Sequence, residues 1–296
     1  MSDPVDPMVD QAPLPINTET KWRRFWRQLK TAPLSVWFSF VVLAFYAFLV
    51  IFADIIAPYP ETEIVAGSFL PASAAHPMGT DALGRDFLSR MIYAAQNTVL
   101  IAIVTTLISF AIGGFLGLLA ATVGGWLDQG LGRAVDVLMA IPPLIFALLL
   151  LSIFGTSTLN LILIIALVDA TRVFRMARAV AMGVVVMEYV EAARLRGEGL
   201  LWTVTREVLP NTIAPLMADF GLRFCFVFLT ISALSFLGLG IQPPAADWGT
   251  MVRENAALIS FGEMTPLYPA AAIGLLTICV NFIVDWLLKI SNGLRE

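Results

Sequence analysis

Two stretches without a single charge, Leu34–Phe52 and Met91–Leu127, constrain this chain more than any other feature. A helix rises about 1.5 Å per residue, so about 17–25 apolar residues cross the hydrocarbon core of a bilayer. Lipid offers no partner to a backbone N–H or C=O, so runs of this length are expected to be helices. The second run holds one crossing at about Thr98–Val123. Further apolar runs predict crossings over Val135–Phe154, from Leu159 onward, over Thr212–Leu237 and over Leu267–Leu288. The turns "GGWLDQGLGR" (Gly124–Arg133) and "GTST" (Gly155–Thr158) separate the second, third and fourth. The expectation is an all-α membrane protein with six transmembrane helices. Composition agrees: only 14% of residues are charged, against about 25% in a soluble domain.

The fourth crossing meets Asp169 after ten apolar residues, which rise only about 15 Å. The helix must therefore carry Asp169, with Arg172, into or across the membrane. The fifth crossing contains Asp219 and Arg223. Such charges cost about 2.5–3.5 kcal/mol each on insertion scales, and they face the protein interior or a wet path. Asp219 and Arg223 are four apart and share one helix face, and Asp169 and Arg172 are three apart and can pair. Arg223 stands thirteen residues past Pro210, about 20 Å along the helix and near mid-membrane. Two readings are open. The charges neutralise each other or a partner and hold helices together, or Arg223 or Arg172 faces a translocation cavity and suits a carboxylate or phosphate.

Lys and Arg set the orientation, because cytoplasmic loops are enriched in them. "KWRRFWRQLK" before the first crossing and the link between the fourth and fifth hold most of them, together with Arg133, Lys289 and Arg295. The opposite loops hold Arg85, Arg90 and Arg253. Both termini and that link are thus expected in the cytoplasm. Residues 1–20 are rich in Pro and Asp and read as a disordered tail. Residues 21–33 read as an interfacial helix or a simple stop-transfer flank. Residues 34–296 form the transmembrane domain.

Other chemistry is thin. A net charge of −4 gives no sign of nucleic-acid binding, and the single histidine, His76, gives no metal or catalytic cluster. Cys225 and Cys279 lie in apolar runs and read as buried small hydrophobes. Asp81 and Asp86 in "GTDALGRD" suit local capping with an Arg85 pair, or a cation site. Gly113, Gly114 and Gly117 suit close helix packing. The loop Gly240–Pro266 is long for a connection and is expected to cover the outer mouth.

The link over residues 188–210, "EYVEAARLRGEGLLWTVTREVLP", is polar and rich in helix formers. It predicts a short helix, a break at Gly197 and Gly199, a second helical stretch, and a membrane helix begun at Pro210. A rigid projection of this kind can transmit force to a partner. The same stretch resembles the EAA motif of ABC importer permeases at Glu191, Ala192, Ala193, Gly197, Leu209 and Pro210. "HPMGTDALGRDFLSRMIYAA" (His76–Ala95), "VDVLMAIPPLIFAL" (Val135–Leu148) and "LSFLGLGIQPPAADWGTMV" (Leu234–Val252) are similar to the C-type permeases of dipeptide, oligopeptide and nickel importers. The resemblance runs from about residue 21 to the end.

It implies a type I importer permease fold whose 188–210 segment couples to an ATPase. It implies a homologous B-type permease, two ATPase subunits that bind ATP and Mg, and an extracytoplasmic substrate-binding protein. No cofactor or metal is expected on this chain, which has no GxxxxGK[ST] loop of its own, and no catalysis. The cargo would be a peptide or related small polar solute, entering through the inner membrane of a bacterium. The family usually has small residues where this chain has Asp169, Arg172 and Arg223, and often a Glu where it has Ile231. Uncharged "AVAMGVVVM" (Ala179–Met187) also replaces the usual charges. A secondary transporter or channel is the alternative; it would need no docking helix.

Overall fold

The computed structural model describes residues 32–292, so the readings for residues 1–20, for most of 21–33 and for Arg295 lie outside the described residues. Helices form nearly all of it. Among the described residues the only β-pairing is two isolated bridges, Ile64 with Arg85 and Thr80 with Asp86. Helix α1 spans Leu34–Ile56 and α2 spans Phe87–Ser109. A π-helical turn at Phe110–Gly114 continues α2 into α3, Phe115–Val123. Then follow α4 (Gly125–Met139), α5 (Pro143–Phe154), α6 (Thr158–Val185), α7 (Glu188–Leu195) and α8 (Leu200–Trp202). A second π-helical turn, Thr203–Val208, joins α8 to α9 (Leu209–Phe236), and α10 (Trp248–Asn255) and α11 (Leu267–Asn292) complete the chain.

Four continuous helices are long and apolar enough to cross a membrane: Leu34–Ile56, Phe87–Val123, Leu200–Phe236 and Leu267–Ile290. A fifth arises if α4 and α5 count as one span, but they meet at 86°. The straight crossing expected at Val135–Phe154 is therefore broken. The cause is "IPP": Pro142 and Pro143 supply no N–H, and a proline disfavours helix in the residue before it. The break turns "GGWLDQGLGR", expected as a turn, into the body of α4. Helix α6 has 28 residues, ample to cross. It carries Asp169, Arg172, Arg175 and Arg178, which sets it apart from the other long helices in charge rather than in length.

Two crossings are longer than expected. The second starts at Phe87, where Asp86 caps it by accepting the Ser89 amide at 2.8 Å. The fifth begins at Leu200, and Pro210 stands in the first turn of α9 as expected, with the preceding helical turns continuous with it. A proline ring clashes with the carbonyl four residues earlier. The preceding π-helical turn takes up that misfit, as inserted residues in a helix do.

Close packing of α6 on the second crossing depends on two glycines. A Cβ on Gly113 would lie 2.3 Å from the Ala170 carbonyl oxygen, and one on Gly117 would lie 2.6 Å from that of Phe174. Gly114 meets nothing within 4 Å, so only two of the three small residues serve the contact. The largest core joins α1, α2, α5, α6, α9 and α11 around Tyr46, Phe87, Phe228 and Trp248. Trp248 comes from the long loop. It is 1% exposed and packs edge-on against Tyr46 at 5.6 Å and Phe228 at 6.1 Å. That loop is thus folded into the bundle at one end, the cap, while α7 projects at the other, the elbow.

Candidate functional site

Two helices bring charge, and a third a hydroxyl, together in the apolar interior. Asp169 and Arg172 come from α6, Asp219 and Arg223 from α9, and Ser109 from the last residue of α2. Arg223 Nε donates to Asp219 Oδ1 at 3.3 Å, the one-turn pair the sequence predicts. Arg223 Nη1 also lies 3.9 Å from Asp169 Oδ1, and Ser109 Oγ donates to Asp169 Oδ2 at 3.0 Å. Asp169 and Asp219 are buried, at 6% and 8% exposure. The guanidinium stands 5.2 Å from the Phe226 ring centroid, a cation–π distance. One acceptor, Asp219 Oδ2, is buried without a hydrogen bond.

The expected Asp169–Arg172 pair does not form. Each residue advances a helix by about 100°, so three residues place Arg172 about 60° around the axis from Asp169. Asp169 turns into the bundle toward α9 and α2. Arg172 turns toward the groove by α5, and it lines two adjoining cavities there. Ser109 escaped the sequence reading. Its signal was a hydroxyl following Thr105 and Thr106 ahead of "FAIGG" in an apolar run, and a π-helical turn begins at the next residue.

The elbow is the second candidate. Helix α7 covers Glu188–Leu195, and Gly197 has φ +82°, a left-handed conformation that suits glycine after a helix. Val190 and Ala193 are fully buried beneath α7, whereas Ala192 and Glu191 are exposed. The smallness of Ala193 therefore serves the chain's own packing. Glu191 makes no side-chain hydrogen bond or ion pair among the described residues, although the first turn of a helix favours its negative charge. Arg194 Nη2 donates to the Thr122 carbonyl at 2.8 Å and ties α7 to the end of α3. Leu118, Ala181, Val204 and Val208 form a small apolar core under the elbow. Arg178 holds Asp128 by two bonds of 2.5 and 2.6 Å and fixes α4 to α6. Leu209 is half-buried over that core, and Pro210 lies on the same continuous helix.

At the cap a denser network forms. Asp81 Oδ2 accepts Arg85 Nε at 2.7 Å and Arg90 Nη1 at 2.6 Å, and Arg90 reaches Glu254 at 3.1 Å. Asp86 is committed to Ser89 and to His76 Nδ1, 3.0 Å away. These bonds follow the capping arrangement, and no cluster of three metal-ligating side chains exists among the described residues. Burial alone would raise the Asp81 carboxyl. The Arg85 amide and guanidinium, the Arg90 charge and the Leu83 amide hold it below the ordinary value.

A bundle of apolar helices with charge buried at mid-depth and a polar elbow at one end defines a multi-pass membrane protein of the transport class. Residues 113–293 match the family described as binding-protein-dependent transport system inner membrane component. Residues 20–72 match the N-terminal transmembrane domain of oligopeptide transport permease C. The chain is 34% identical to a dipeptide transport system permease protein of Escherichia coli, over 97% of each chain. It is 35% identical to a di/tripeptide transport system permease protein of Pseudomonas aeruginosa, over 81% of this chain and 82% of that one. It is 31% identical to a glutathione transport system permease protein of Pectobacterium atrosepticum, over 92% and 90%. The chain belongs to the family of inner membrane components of binding-protein-dependent transport systems.

Proposed function

We infer that this chain is the C-type permease of an ABC importer that moves a peptide or a related small polar solute into the cytoplasm. Its relatives are named for dipeptide, di/tripeptide and glutathione transport. In this reading the chain crosses the membrane six times, with α6 and the bent α4–α5 pair as two of the crossings. Both termini and the elbow lie in the cytoplasm and the cap lies outside. The partners are a homologous B-type permease, two ATPase subunits that hold ATP and Mg, and a substrate-binding protein that delivers cargo at the cap.

One observation supports this reading above the others: the later half of the elbow, from Leu200, and the charged cluster share one helix. From Leu200 to Phe236 the chain is continuous. Arg223 stands thirteen residues past Pro210, about 20 Å along it. Glu191, Ala192, Ala193, Gly197, Leu209 and Pro210 make up the coupling segment, 188–210. An ATPase that grips α7 moves α9 as a lever, and Arg223 shifts against Asp169 on α6. Asp169, Arg172, Asp219 and Arg223 border the cargo path. This is alternating access by tilting packed helices, with the chemical step on other subunits.

The test is affinity purification of the tagged chain from its own membranes, with ATP-driven uptake of alanylalanine measured alongside. Co-purifying ATPase subunits and ATP-dependent uptake are expected. A Glu191→Arg variant should keep the complex's ATP hydrolysis and lose uptake. An elbow cysteine at Tyr189 that a membrane-impermeant reagent labels from outside intact cells would refute the orientation.

A further inference from the structure

Four ionisable side chains meet inside the bundle, and they are treated unequally. Arg223 serves both carboxylates, and Asp169 also holds Ser109. Arg172 makes no hydrogen bond or ion pair with any described residue. It lies fourteen residues into a 28-residue helix, about 21 Å from either end. Its side chain is too short to reach the headgroups from there by snorkelling. Asp169 lies near enough to be felt electrostatically but forms no close pair with it, so much of the insertion cost stays uncompensated.

What surrounds Arg172 is a groove. One cavity beside it is lined by Met139, Ile141 and Phe146, at the break between α4 and α5. The other is lined by Ala147, Asp169, Phe226 and Thr230, and Pro143 and Val168 border both. The groove is mostly apolar, so water competes weakly for the guanidinium. Its only carboxylate, Asp169, is turned toward Arg223 and Ser109 and does not occupy Arg172.

We propose that Arg172 is the anion contact of the cargo path and receives an oxyanion of the passing solute, in the first place the terminal carboxylate of a peptide. The proposal rests on the transport reading above. A guanidinium presents two parallel N–H donors that match a carboxylate, which an ammonium cannot do. A solute lacking that group leaves the half-buried Arg172 without a hydrogen-bonded acceptor, so the site discriminates by what it withholds. Arg223 has its acceptors already and positions Asp169 out of the way.

The experiment uses the complete transporter with its binding protein in liposomes. Uptake of alanylalanine and of alanylalanine amide is compared for the unaltered chain, Arg172→Gln and Arg172→Lys. The unaltered chain should prefer the free carboxylate at least about tenfold, which is about 1.4 kcal/mol. Arg172→Gln should lower the acid to the level of the amide and leave the amide unchanged, and Arg172→Lys should recover part of the difference. Equal loss on both peptides, or no loss on either, overturns the proposal. If Arg172→Gln loses the subunits and Arg172→Lys regains them, Arg172 pairs across the permease interface instead, and the proposal fails. If the unaltered complex moves neither peptide, the cargo reading fails, and a cargo-free measurement decides the site. Arg172→Cys, with Cys225 and Cys279 replaced by Ala, is treated with sulfonatoethyl methanethiosulfonate in nucleotide-free and ATP–vanadate states. Modification in one state supports an anion-accessible groove, and none in either state overturns it.

Discussion

The cap and the mid-depth cluster each gather two carboxylates and two arginines, wholly or partly buried, and they solve the problem differently. At the cap, Asp81, Glu254, Arg85 and Arg90 lie in one network whose two shortest contacts are 2.6 and 2.7 Å. In the cluster, Arg223 reaches its acids at 3.3 and 3.9 Å and Arg172 stands apart, while each site leaves a buried polar atom unbonded, Asp219 Oδ2 in the cluster and Arg90 Nε at the cap. Short pairs stay fixed, because breaking a buried pair leaves an uncompensated charge. Longer, partial pairs exchange partners at lower cost. The cap is therefore built as a lock, and in the transport reading proposed above the cluster would be a joint between helices.

Breaking the cap should have the largest effect on stability. Arg90 is 1% exposed and Asp81 2%, so Arg90→Ala should cost about 3–5 kcal/mol. The expected result is loss of folded protein in membranes, read by thermal unfolding of the detergent-purified chain. The same truncation in the cluster should act on function instead. Arg223→Ala should lower uptake by more than about tenfold, or about 1.4 kcal/mol, while the complex still co-purifies. Normal transport by that variant would erase the contrast.

Packing should fall between the two. Gly113→Val places a side chain against the Ala170 carbonyl and should cost about 1–3 kcal/mol. Gly114→Val, with open space at its Cβ, should cost clearly less in the same melt.

The cap also separates two acids by pH. Asp81 has its carboxyl held below the ordinary range, so its contribution is present above that range and is lost as pH falls through the lowered value. Asp247 caps α10 through bonds to the Gly249 and Thr250 amides, and burial pushes its carboxyl up despite them. Its contribution is present below the ordinary range and is lost as pH rises through the raised value. Melting temperature against pH should therefore lose its acid-side fall in Asp81→Asn and its fall on the rising side in Asp247→Asn. The smallest effect belongs to Asp128→Asn. It removes a partly exposed pair with Arg178 and should cost no more than about 1 kcal/mol.

Local rules explain which features were legible. The Asp86 cap, the glycine break after α7 and the Asp219–Arg223 pair depend on neighbours within one turn, and each formed. The α4–α5 break was written in "IPP", but a hydropathy run carries no information about bending and hid it. The continuity of α9 through Pro210 depends on a π-helical turn that no residue pattern announces. Ser109 was invisible because its partner lies on another helix.

Length, apolarity and charge placement along the chain by themselves determined that this protein is a helical membrane component with a polar elbow. Rise per residue and the absence of partners in lipid leave few other outcomes. Only the tertiary structure decided that Asp169 answers to Arg223 and that Arg172 faces a groove. Spacing fixes contacts within a helix, whereas contacts between helices depend on the rotation and depth of each, which packing at Gly113, Gly117 and the core sets.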